Sequence, residues 1–192
     1  VADGSAFFGA SPELLYRRVA NTIETEAVAG TRPRGDSDDD DERLASDLSR
    51  SDKERREQAI VFSAIREAMD DLCDNVSADV EPRLMKLPTC QHLCSRIRGT
   101  LKREANDAEL LDALHPTPAV GGYPSNAALS WLRNHEPFDR GWYAGPVGWI
   151  ARDSAEFAVG IRSGRVSNDT LSLYSGAGIV AGSTAEKEWA EI

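Results

Sequence analysis

The chain opens with three runs in which apolar and polar positions alternate, residues 5–10, 14–19 and 22–29, the first two separated by Ser11-Pro12-Glu13. A period of two predicts half-buried strands, and the Ser-Pro junction predicts a break between them. From Ser51 to about Asn75 the period changes: Val61, Ala64, Ile65, Ala68 and Leu72 recur at spacings of three and four. That spacing predicts one amphipathic helix. Glu57 and Glu54 extend the same stripe backwards, so two carboxylates point toward whatever the helix packs on, a position that calls for a cation. Residues 83–102 read as strands, and 106–114 and 124–134 as helices, the second ending before Pro137. The last third alternates in short apolar runs, 141–151, 156–162 and 170–174, before a helical pattern that begins near Thr184. The pattern predicts an α+β fold, a largely antiparallel sheet flanked by helices, with residues 1–192 forming one domain or part of a larger one.

A length of 192 residues with 41% hydrophobic content is enough to bury a real core. The formal net charge of -10 argues against a nucleic acid or an anionic membrane as partner, since both favour clustered Lys and Arg. Six acids fall in the stretch from Asp36 to Glu42, which is expected to be a solvated loop because packed like charges repel. No stretch has the apolar length of a membrane span, and residues 1–20 lack a basic start followed by an apolar core. Cys73, Cys90 and Cys94 cannot all pair within the chain and match no zinc or disulfide framework. A reducing compartment is expected, a bacterial cytoplasm or a plastid stroma. Val1 leads almost directly into Ala6-Phe7-Phe8-Gly9, and Ile192 falls inside a helical pattern without a stop signal, so a fragment of a longer polypeptide is expected.

Two Glu-x-x-Glu pairs, Glu54 with Glu57 and Glu188 with Glu191, each share one helical face. If the two helices meet, their carboxylates converge on a site suited to hard Mg²⁺. The same residues fit a simpler reading, since Ser51-Asp52-Lys53-Glu54 matches a capping box. Gly176-Ala177-Gly178 follows a strand and imitates a dinucleotide fingerprint, but no βαβ unit follows it. What survives is a glycine turn whose N–H groups can hold an anion, as Ala29-Gly30-Thr31 can, with Arg162 inside a strand as a candidate carboxylate clamp. Taken alone, His92 reads as a hydrogen-bonded structural histidine and Glu13 as a turn acid, and no nucleophilic triad can be assembled.

Read in order, six motifs resemble the chorismate-binding enzymes: Gly9-Ala10-Ser11-Pro12-Glu13-Leu14-Leu15, Ala29-Gly30-Thr31-Arg32-Pro33-Arg34-Gly35, Lys53-Glu54-Arg55-Arg56-Glu57, Leu114-His115-Pro116-Thr117-Pro118-Ala119-Val120-Gly121-Gly122, the stretch from Phe138-Asp139-Arg140 to Gly148-Trp149, and Ser175-Gly176-Ala177-Gly178-Ile179-Val180 with Glu188-Trp189. The resemblance covers nearly the whole chain and identifies it as the carboxy-terminal part of a single chorismate-binding catalytic domain. Within the family, His115 to Gly122 and Phe138-Asp139-Arg140 look like isochorismate synthase, whereas residues 29–35 are shared with anthranilate synthases. The resemblance implies a Mg²⁺-dependent exchange on the small-molecule substrate chorismate, in which water adds at C2 as the C4 hydroxyl departs. It implies Glu13 as general acid and His92 beside the departing hydroxyl. Glu57 and Glu191 match direct magnesium ligands, with Glu54 and Glu188 acting through water. Arg162 and backbone N–H groups near Gly30, Thr31, Gly176, Ala177 and Gly178 match carboxylate-binding groups, while Ala119 and Val120 match the lining of the ring pocket. The water-activating lysine of isochorismate synthases falls before Val1, so the missing amino-terminal half of the domain is the expected partner. Two further readings stay open: another chorismate enzyme, forming salicylate, anthranilate or aminodeoxychorismate, and a non-catalytic remnant of a fused quinone-biosynthesis protein.

Overall fold

A computed structural model describes residues 4–102 and 105–191. Three strands lead, β1 (Ser5–Gly9), β2 (Leu14–Val19) and β3 (Thr22–Pro33), followed by helices α1 (Asp38–Arg50) and α2 (Asp52–Leu72). Next come β4 (Cys73–Ala78), β5 (Arg83–Lys86) and β6 (Cys90–Leu101), then α3 (Asp107–Leu114), the short α4 (Pro118–Gly121) and α5 (Ser125–His135). Four strands, β7 (Pro146–Ile150), β8 (Ser154–Val159), β9 (Ser163–Ser167) and β10 (Thr170–Tyr174), precede α6 (Ala185–Glu191). Every strand pairing is antiparallel, in a seven-stranded sheet of order β4-β6-β3-β2-β8-β7 with β5 on β6, and a three-stranded sheet of order β1-β9-β10. The α+β reading holds.

Helix α2 packs across β3 and β6 because its stripe meets their alternation. Val61, Ile65 and Met69 are buried against Ile23, Ala27, Ala29 and Ile97, the odd-numbered positions of both strands. Gln58 Nε2 donates to Ser95 Oγ at 3.0 Å, a buried polar pair between α2 and β6. Even positions face the other way and carry the cross-strand ion pairs Arg96–Glu26 and Arg98–Glu24 at 3.0 and 2.9 Å, while Arg17 of β2 pairs with Glu156 of β8 at 2.7 Å.

The β3–β6 register shifts between Ala29 and Thr31, leaving Gly30 as the extra residue of a bulge with φ +76°. The insertion reverses parity. Thr31 comes onto the face of His92, and Arg32 onto the face of α2.

Four expectations are corrected. The acidic stretch is not a loop: Ser37 caps α1, and Asp38 to Asp41 occupy its first turn, where the helix dipole favours anions. Asp41 is buried and receives Arg34, Lys86 and the Gly35 N–H, which hold its carboxyl far below the usual range. The long helix stops at Leu72, and β4 follows. Arg162 lies in the turn between β8 and β9 rather than in a strand, with φ +47°. The strand expected over 141–151 is confined to Pro146–Ile150, and β9 joins the three-stranded sheet unannounced by apolar alternation.

β7 closes one side of the large sheet as an exposed edge, with Val147, Trp149 and Ile150 half or more accessible.

Ile65→Ala in the full-length protein should lower unfolding stability by about 3 kcal/mol in a denaturant titration, since the buried side chain leaves a cavity between helix and sheet.

Candidate active site

Glu13 sits at the β1–β2 junction, where Ser11 Oγ accepts its N–H and its own carbonyl accepts the Val159 N–H, fixing the turn against β8. Its side chain is 5% exposed. The Thr117 hydroxyl donates to Oε1 at 3.2 Å, and no cation pairs with it among the described residues. Burial therefore dominates over that one hydrogen bond and pushes its pKa up to about 7. Thr117 leads directly into α4, which carries the half-buried Ala119 and Val120. Arg140 steadies that helix: it is ion-paired with Glu136 and donates to the Val120 carbonyl at 2.7 Å.

His92 is the centre of a second group. Arg162 NH2 lies 2.8 Å from Nε2 and 2.9 Å from Cys90 Sγ, while Nδ1 lies 3.3 Å from the Gly30 carbonyl and 3.1 Å from Thr31 Oγ1. A guanidinium only donates and a carbonyl only accepts, so Nε2 carries the lone pair and Nδ1 the hydrogen. Burial, and then the charge of Arg162, keep the ring below the ordinary histidine pKa and neutral. Arg162 is held in the left-handed region and meets a neutral ring and a thiol. Among the described residues its guanidinium pairs with no carboxylate, which leaves it suited to an incoming anion.

The acidic group lies across the bulge. Ser51 Oγ caps the Glu54 N–H, as half a capping box, but the Glu54 side chain turns inward instead of completing it. Arg32 NH1 reaches Glu54 Oε1 at 2.9 Å, and Lys53 Nζ lies 3.5 Å from that oxygen and 2.7 Å from Glu188 Oε1. The Lys53–Glu188 contact is an ion pair poorly aligned for a hydrogen bond. Burial would raise the Glu188 carboxyl, but Lys53, the Ser183 hydroxyl and the charge of Arg32 outweigh it and lower its pKa. Glu54 Oε2 is buried without a hydrogen-bond partner.

The glycines have a role beyond their N–H groups. A Cβ at Gly30 would lie 3.2 Å from Glu54 Oε2, and one at Gly178 would fall onto Glu57 Oε1. One at Gly176 would meet Tyr143 Oη, and Ala177 between them is half-buried. The two glycine turns are thus cradles for the carboxylates of α2. Three of the four acids, Glu54, Glu57 and Glu188, are drawn to one region, while the side chain of Glu191 lies outside the described residues. As placed, no three acid, histidine or cysteine side chains among the described residues stand close enough together to share an ion. The orphaned oxygen and the all-oxygen donor set nonetheless fit a hard divalent cation better than a soft one.

Gly30 joins two of the groups, its carbonyl bonding His92 and its α-carbon abutting Glu54. Glu13 is tied instead to the 117–120 segment. Arg32, Lys53, Thr117, Cys90 and Arg140 went unassigned in the sequence, where only the stranded glutamates of α2 signalled that cations must meet them.

Between pH 4.5 and about 7 the unfolded chain has lost the Glu13 proton while the folded chain still holds it. Its contribution to stability is thus complete at the acid end and lost as pH rises through about 7. Urea unfolding should show that the wild type loses about 3 kcal/mol more than Glu13→Gln across this window.

A sequence model described as "Chorismate binding enzyme" matches residues 2–192. The chain is similar to the chloroplastic isochorismate synthase of Catharanthus roseus, 42% identical over 99% of this chain and 33% of that protein. It is similar also to anthranilate synthase component 1 of Saccharolobus solfataricus, 37% identical over 98% of this chain and 46% of that one. The solved structure of the menaquinone-specific isochorismate synthase MenF of Escherichia coli superimposes with a TM-score of 0.90 at 38% identity, covering 98% of this chain and 44% of that chain. The chain therefore spans less than half the length of these relatives. The family match over residues 2–192 and the superposition at 38% identity show that the chain belongs to the chorismate-binding enzyme family.

Proposed function

We propose that the protein of which this chain forms part is an isochorismate synthase, converting chorismate to isochorismate with Mg²⁺. The observation that carries the reading is Glu13, a buried acid with a hydroxyl neighbour, no paired cation among the described residues and a pKa lifted to about 7. Such a group keeps its proton near neutrality and can deliver it to a departing hydroxyl. Water bonds to C2 as the C4–O bond breaks. Glu13 protonates the leaving oxygen, which departs as water, and a base outside these residues takes the proton from the incoming water. Neutral His92 stands beside the departing group. Arg162 and the N–H groups of the Gly30 and Gly176–Gly178 turns take the carboxylates, with Ala119 and Val120 shaping the ring pocket. Glu57 and Glu191 would hold Mg²⁺ directly, and Glu54 and Glu188 through water. The ion would neutralise the ring carboxylate and orient the ring.

The relatives that support this include isochorismate synthases of plants and bacteria, and they extend well beyond the matched segment. The remainder of the protein supplies the base, and the half-exposed apolar edge at β7 is where we expect it to pack.

Incubating the full-length protein with chorismate and Mg²⁺ should yield isochorismate, and chelation should abolish the product until Mg²⁺ is restored. Formation of anthranilate with ammonia, and none of isochorismate, would replace this reading with the amine-transferring one. Glu13→Gln should retain substrate binding and lose turnover by about 100-fold or more, read as kcat against Kd. Undiminished turnover would overturn the acid assignment.

A further inference from the structure

Helix α6 presents an unusual packing problem. It carries Glu188 and Glu191, yet among its described side chains only Glu188 is buried, and Trp189 is 79% exposed. No described apolar side chain of α6 enters the core, so the hydrophobic effect does not dock this helix. Its buried group is a carboxylate, which is costly to desolvate without a cation. Lys53 of α2 meets it at 2.7 Å, with the Lys53 side chain only 19% exposed and that of Glu188 only 7%. Of the other groups that lower Glu188, the Ser183 hydroxyl, five residues earlier, belongs to the same segment and does not reach across the fold.

We propose that Lys53 is a positioning residue that clasps α6 onto α2 before any metal arrives, so that the second glutamate pair is already in place. The significance for metal binding rests on the reading of the four glutamates as a magnesium site. The clasp itself rests on geometry alone. Lys53 bridges Glu188 and Glu54, one acid from each pair, and Arg32 takes up the remaining repulsion at Glu54. Two fixed cations thus lower the mutual repulsion of acids that would otherwise drive the helices apart.

The test is amide hydrogen exchange across residues 185–191 in the metal-free full-length protein. Lys53→Met keeps the apolar stem and removes the charge, and should speed exchange in α6 by about tenfold or more. Lys53→Arg should keep protection near the wild-type level. Saturating Mg²⁺ should return the Lys53→Met variant toward wild-type protection, because the ion then holds the acids together. Unchanged exchange in metal-free Lys53→Met would overturn the proposal, as would loosening spread evenly over α2 and β3. If Lys53→Met loosens α6 but Mg²⁺ protects neither protein, the clasp stands and the magnesium reading falls.

Discussion

The single extra residue at Gly30 governs the geometry of the site. Up to Ala29, odd positions of β3 face α2 and even positions face the charged side of the sheet. Beyond the bulge the assignment reverses, so Thr31 meets His92 while Arg32 meets Glu54. A regular ladder would have sent Arg32 away from the acids and left them without a counter-charge. The same residue must be glycine twice over, for its left-handed φ and for the space its missing Cβ gives to Glu54.

Acidic groups divide into two kinds by their company. Asp41, Asp107, Glu54 and Glu188 are buried with cations: Arg34 and Lys86, Arg18, Arg32, and Lys53 respectively. These hold elements together, α1 to β5, α3 to β2, and α6 to α2. Glu13 has the same burial and no such partner among the described residues. Desolvation is therefore left unopposed by any charge, and an acid that would otherwise serve the fold becomes one able to hold and release a proton near neutrality.

Much of this was legible in the chain. The α2 stripe gave the helix, its packing face and the two stranded carboxylates, because a period of three and four is a local property. The alternation of β1 to β3 was equally local. What failed depended on distant residues. The Asp36–Glu42 stretch reads as repulsive until a helix dipole, Arg34 and Lys86 are brought to it. β9, Ser163-Gly164-Arg165-Val166-Ser167, has a single large apolar residue and exists because β1 and β10 pair on either side of it. β4 continued the helical period in sequence and was claimed instead by β6. The bulge could not be seen at all, since register belongs to a pair of strands. Glu13 and His92 were singled out by family resemblance, while the environment that sets their protonation came only from Thr117, Gly30 and Arg162.

The exposed margin at β7 carries a practical consequence. A row of open backbone donors and acceptors, dressed with Trp149 and Ile150, is a template for any other extended strand. A polypeptide limited to these residues would tend to add copies of itself there, in the manner of growing fibrils or swapped dimers. Its size in solution would then report adhesive β-structure rather than the native assembly.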